Sequence, residues 1–157
     1  MRPGKLMDVK YVHTNLIARD WRRLASFYER VFGCVRVLPE RHLSGESMER
    51  GSGVAGARLD GVHLRLPGFG SDGPTLEVFQ YAQNADAPMP VANRVGFGHI
   101  AFAVDDVRAA RDAVLAAGGS AVGTVEAVAI PGAGIVTWTY TRDPEGNIIE
   151  LQRRDPA

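Results

Sequence analysis

Two stretches of this chain, YVHTNLIARD at 11–20 and GFGHIAFAVDD at 96–106, open alike: a histidine early in an apolar strand, an aspartate seven places on and a glycine twenty places on. His13, Asp20 and Gly33 therefore line up with His99, Asp106 and Gly119. A repeated unit of this kind has an apolar face that it cannot bury alone, so the two copies must be built on one plan and packed together.

The residues between these markers extend the repeat. In the first half, 10–17 alternates as a strand with His13, Asn15 and Ile17 on one face. Asp20 is placed to cap a helix whose apolar positions Trp21, Leu24, Tyr28 and Val31 recur at three and four, with Gly33 as the stop. A short strand is expected at 34–38, ending at Pro39. The polar, glycine-bearing residues 40–58 read as a long loop in the position of a lid, with one helical turn at 46–50. Strands follow at 60–66 and 75–81, and the second of these puts Glu77 on a face with Phe79 and Tyr81, where a carboxylate needs a partner. Residues 82–94 read as a linker.

The second half repeats the order: a strand at 97–104 carrying His99, a helix capped by Asp105 or Asp106 and closed by Gly118 and Gly119, then strands at 121–129, 134–141 and 147–152. The last two flank the tight turn DPEGN at 143–147. Glu150 then holds the place that Glu77 has in the first half, and the longer histidine-to-glutamate interval of the first half reflects the extra polar stretch at 40–58. The expected fold is α+β, with two tandem βαβββ modules at 8–82 and 95–154 in one domain spanning 1–157. Helices cover one face of each curved mixed sheet and the other faces line a cavity.

With 157 residues, 45% hydrophobic and 23% charged, the chain has material for one core and not for two ordinary domains. Its formal charge is zero, which gives no electrostatic reason for a nucleic-acid or membrane partner. The single cysteine, Cys34, excludes an intrachain disulfide and fits a reducing compartment. The start, MRPGKLMDVKY, lacks the apolar core of a leader, and a cytoplasmic location is expected.

The chemistry lies in His13, Glu77, His99 and Glu150. Two imidazoles and two carboxylates at equivalent places in two repeats suit a divalent metal: imidazole favours Fe, Ni, Co or Zn, and carboxylate favours Mn or Mg. A six-coordinate ion held by four side chains keeps two positions for a small molecule with adjacent oxygens. It could then stabilise the enediolate formed when a neighbouring C–H proton leaves. Glu150 or Glu77 is the candidate base. His63 alternates with Val62 and Leu64, which turns it to the cavity or to solvent; His42 sits where it could meet substrate. Asn15 and Gln152 share faces with His13 and Glu150, while Trp138 and Tyr140 read as packing residues.

From VHTNLIARDWRRLASFYERVFG through TLEVFQY and GHIAFAVDD to DPEGNIIEL, the chain resembles the vicinal oxygen chelate superfamily, which includes the glyoxalases, bleomycin-resistance proteins and extradiol dioxygenases. The resemblance implies paired βαβββ modules, a homodimer and, by the glyoxalase I pattern, metal ligation by His13, Glu77, His99 and Glu150. It implies a metal-dependent lyase or isomerase, akin to glyoxalase I or an acyl-CoA epimerase. An Fe(II) extradiol-type dioxygenase and a non-catalytic, bleomycin-resistance-like binding protein are the alternatives. The chain departs from glyoxalase I at Ile17, where that enzyme usually carries an arginine that helps bind glutathione.

Overall fold

Asp20 and Asp106 each start a helix at the equivalent place in the two halves of the computed structural model, which describes residues 7–156. The first six residues of the polar lead lie outside that range. The first half runs β1 (His13–Ile17), α1 (Trp21–Phe32), β2 (Val35–Ser44), α2 (Glu46–Ser52), β3 (Arg58–Arg65) and β4 (Thr75–Tyr81). The second runs β5 (Ile100–Ala103), α3 (Val107–Ala116), β6 (Ser120–Ala121), β7 (Glu126–Ile130), β8 (Gly134–Arg142) and β9 (Ile148–Asp155).

The caps act through the aspartate side chains. Asp20 accepts from the Arg23 amide, and Asp106 accepts from the amides of Arg108 and Ala109, satisfying donors that a helix start leaves free. Gly33, in the left-handed region, ends α1.

The two sheets repeat one topology. Strand order is β1-β4-β3-β2 in the first and β5-β9-β8-β6 in the second, with β7 also on β8. In each, the edge strand that begins at or just after the histidine runs parallel to the glutamate-bearing strand and the other pairings are antiparallel. The register repeats to the residue. Asn15 stands opposite Glu77 and Ala101 opposite Glu150, each two places beyond the histidine. One strand further in, His63 stands opposite Glu77 and Tyr140 opposite Glu150.

Three expectations needed correction. Residues 40–58 are not a loop: β2 continues past Pro39 to Ser44 and α2 follows. A proline is tolerated because β2 is an edge strand, and the ladder absorbs it by a register shift between Val37 and Arg41. The strand expected at 121–129 is two, β6 and β7, because the amides of Val122 and Gly123 both donate to the Tyr140 carbonyl and interrupt the ladder. Finally, β5 begins at Ile100, so Phe97, Gly98 and His99 precede it.

Helix α1 packs on β3 and β4, α3 packs on β8 and β9, and the helices touch each other. One apolar cluster spans both halves, joining Leu24, Phe27, Val62, Leu64, Leu76 and Val78 to Val114, Ile149 and Leu151. Phe32 and Phe102 stack across the join with ring centroids 4.0 Å apart. Each large apolar side chain buried here contributes about 1.5–3 kcal/mol. Among the described residues no helix is long and apolar enough to cross a membrane.

Cys34 belongs to this core, and burial, with Glu29 adding a smaller push, raises its thiol to about 11. The thiolate is the reactive form. A thiol reagent at neutral pH should therefore leave the native protein unlabelled and modify one site once urea unfolds it, which mass spectrometry reads directly.

Candidate metal centre

With the helices covering one face of each sheet, the other face is free to carry polar side chains. On the first sheet, Glu77 is drawn between two imidazoles: His13 Nε2 lies 3.1 Å from its Oε2, and His63 Nε2 lies 3.0 Å from its Oε1. The Asn15 amide donates to the same Oε2 at 3.1 Å. These contacts supply the partner that Glu77 requires beside its aromatic neighbours. Strand alternation produces the arrangement, since His63 turns away from Val62 and Leu64, both of which are fully buried.

Phe79 on β4 meets His63 edge to face, with centroids 5.8 Å apart. Its ring lies over Gly61, where a Cβ would come within 1.9 Å of Phe79 Cδ1. Only a residue without a side chain leaves that space. The other imidazole nitrogen of His63 lies 3.3 Å from the Thr75 hydroxyl. Burial holds the His63 ring below the usual imidazole range; Glu77 opposes that shift, while Arg41 and His13 reinforce it. A neutral ring is the form that binds metals.

On the second sheet, His99 Nε2 lies 2.9 Å from Glu150 Oε2. Tyr140 packs against His99 with centroids 4.9 Å apart, and Trp138 meets Tyr140 edge to face at 5.0 Å. The two residues read from sequence as packing thus form an aromatic wall beside the second histidine. The repeat held the missed signal: Tyr140 stands to Glu150 as His63 stands to Glu77.

Each histidine therefore meets the glutamate of its own half. The four together do not form one cluster. Among the described residues, the group of His, Cys, Asp or Glu whose donor atoms all lie within 4.8 Å of one another is His13, His63 and Glu77. His13 and His99 nevertheless line the same groove of about 820 Å³, with Tyr11, Asn15, Ile17 and Phe97. His42 lies elsewhere, paired on the β2–β3 ladder with Asp60, its Nδ1 at 2.5 Å from the carboxylate.

The donor set fits a divalent ion. Donors at right angles around an ion with bonds near 2.1 Å stand about 3.0 Å apart. The two imidazole-to-Glu77 distances and that of the His99–Glu150 pair are 2.9–3.1 Å. Nitrogen and oxygen donors without thiolate suit Mn, Fe, Co, Ni or Zn.

Known proteins share this architecture. A family model described as the glyoxalase/bleomycin resistance protein/dioxygenase superfamily matches residues 10–151. A relative named probable lactoylglutathione lyase, from Vibrio parahaemolyticus serotype O3:K6, is 47% identical over 150 residues, which cover 94% of this chain and 93% of that protein. A glyoxalase family protein from Bacillus cereus shares the fold at a TM-score of 0.73 and 20% identity, with 98% of both chains covered. A glyoxalase I variant from Zea mays matches at a TM-score of 0.61 and 24% identity, over 93% of this chain and 45% of the maize chain.

Proposed function

Because this chain belongs to the glyoxalase/bleomycin resistance protein/dioxygenase superfamily, we propose that it is a divalent-metal-dependent lyase of the glyoxalase I type, with the His13–Glu77 and His99–Glu150 pairs closing on one ion across the groove that both histidines line. Its substrate would be the hemithioacetal of a 2-oxoaldehyde and a thiol. The observation that carries this reading is the repeated histidine–glutamate pair, each at 2.9–3.1 Å, in a chain that is 47% identical to a probable lactoylglutathione lyase. The reaction is an isomerisation: the proton on the carbon bearing hydroxyl and sulfur moves to the adjacent carbonyl carbon, giving a 2-hydroxy thioester with no external oxidant or reductant. A divalent ion held there would supply Lewis acidity towards the oxygens of the substrate.

The protein's own groups then divide the work. Glu77 is gripped at both oxygens, by His13 and Asn15 on one and His63 on the other, and serves as a fixed ligand. Glu150 is held through Oε2 by His99 and serves as the base that takes and returns the proton. Tyr140 packs against His99 on that side and is backed by Trp138. The homodimer expected from the family is supported by Val95 and Phe97, which are fully exposed beside the groove and which a second copy would cover. Ile17, an exposed apolar residue lining the groove, favours a thiol other than glutathione or a binding mode that does not need an arginine there.

The test is turnover by metal-replete protein with methylglyoxal and a panel of thiols, followed by thioester absorbance and by solvent deuterium entering the product. Glutathione and coenzyme A are included, and methylmalonyl-CoA is tested for exchange. Thioester formation that ceases with chelator and returns with metal is expected. Absence of both turnover and exchange across the panel would remove the reading, and oxygen uptake with a catechol would move the protein to the dioxygenase branch of the family.

A further inference from the structure

We infer that His63 is a third metal ligand on the first sheet, so that His13, His63 and Glu77 together form the first module's share of the ion's donors. This rests on the metal-centre reading above and adds a residue to it. The three donors come from three neighbouring strands of one sheet, β1, β4 and β3, which two hydrogen-bonded ladders keep in register. Their donor atoms all lie within 4.8 Å of one another, close to the roughly 3.0 Å and roughly 4.2 Å that separate adjacent and opposite donors of one ion with bonds of about 2.1 Å.

Two observations separate a ligand from a structural histidine. His63 aims Nε2 at Glu77 while Nδ1 rests 3.3 Å from Thr75 Oγ1, the outer contact that orients a ligating imidazole. Asn15 holds the shared carboxylate from another side, so both Glu77 and the ring of His63 are braced before any ion arrives. The second half carries Tyr140 at the corresponding position. The repeat thus differs here, as it does at Asn15 and Ala101, and the difference divides labour: the first module supplies three donors, and the second supplies His99 and Glu150 with an aromatic wall beside them.

The experiment uses the full chain in a His42→Ala background, so that of the four histidines only His13, His63 and His99 remain. One equivalent of Cu²⁺ is the probe, because imidazole suits copper, and pulsed electron paramagnetic resonance counts the coordinated imidazoles. His63→Phe keeps the ring volume, and circular dichroism with thermal melting verifies its fold. The count should fall by one in His63→Phe, and Cu²⁺ affinity should drop by more than the roughly 10- to 100-fold that follows loss of an outer contact. His99→Ala should still show two coordinated imidazoles. An unchanged count in His63→Phe overturns the inference and leaves the four-ligand reading standing. A single imidazole in His99→Ala does the same. If the parent binds no Cu²⁺, the metal centre and this inference fall together.

Discussion

Replacing Glu150 by glutamine should lower kcat/KM for the hemithioacetal about 10²- to 10⁴-fold, the range spanned by a positioned general base, and the deficit should persist at saturating metal. Glutamine keeps the size of the side chain and removes its ability to take a proton. The comparison with Glu77→Gln is what makes the result decisive. Both oxygens of Glu77 are engaged, Oε2 by His13 and Asn15 and Oε1 by His63, so it cannot turn towards a substrate carbon without giving up three contacts. Glu150 gives up only His99. Loss of Glu77 should therefore appear mainly as weaker metal affinity that excess metal partly restores. The measurement is kcat/KM across a metal titration for both variants. A deficit that metal repairs in Glu150→Gln but not in Glu77→Gln would reverse the assignment.

Much of this site could be read from the sequence because its logic is local. A period of two puts His13 with Asn15 and Glu77 with Phe79, and the repeat supplies the second pair at His99 and Glu150. The aspartate caps and Gly33 were equally legible, since capping is decided within a few residues. What the sequence hid was set by partners distant along the chain. Pro39 and the polar residues after it look like a strand end and a loop, yet the edge position of β2 and its ladder to β3 carry the strand on to Ser44. His63 and Tyr140 gain their roles from the strand register across from Glu77 and Glu150, a relation between segments 10 or more residues apart that periodicity within one segment does not encode. From sequence alone DPEGN reads only as a turn, whereas its side chains fasten one half of the molecule to the other.

That fastening predicts a large stability effect. Asp143 is buried, and its carboxylate accepts from the Tyr28 hydroxyl of α1 at 2.9 Å, from the Asn147 side chain at 2.8 Å, and from the amides of Glu145 and Asn147. Glu145 extends the tie, accepting from the amides of Arg19 and Asp20 just ahead of α1. Asp143→Ala strands the fully buried Tyr28 hydroxyl and frees two turn amides, each uncompensated group costing about 1–3 kcal/mol. The expected loss is about 3–4 kcal/mol, which for a chain of this size lowers Tm by about 10 °C. Tyr28→Phe removes one bond and strands nothing that lacks another donor, so it should cost only about 1 kcal/mol. The pH dependence separates the two further. Burial first, then the charge and hydrogen bond of Asp143, hold the Tyr28 hydroxyl well above its ordinary value. The resulting stability is complete below the unfolded tyrosine value of about 10 and is lost as pH rises through the folded one. Wild type should therefore weaken more steeply than Tyr28→Phe above about pH 10. Burial also raises Asp143, outweighing its hydrogen bonds, so its own contribution is present at acid pH and declines as pH rises through the raised value. Urea unfolding of the three proteins in the acid range below about pH 4, at pH 7 and above about pH 10 checks both signs. A melting point for Asp143→Ala within a degree or two of wild type would mean that the aromatic stack of Phe32 and Phe102, and not this carboxylate, holds the halves in register.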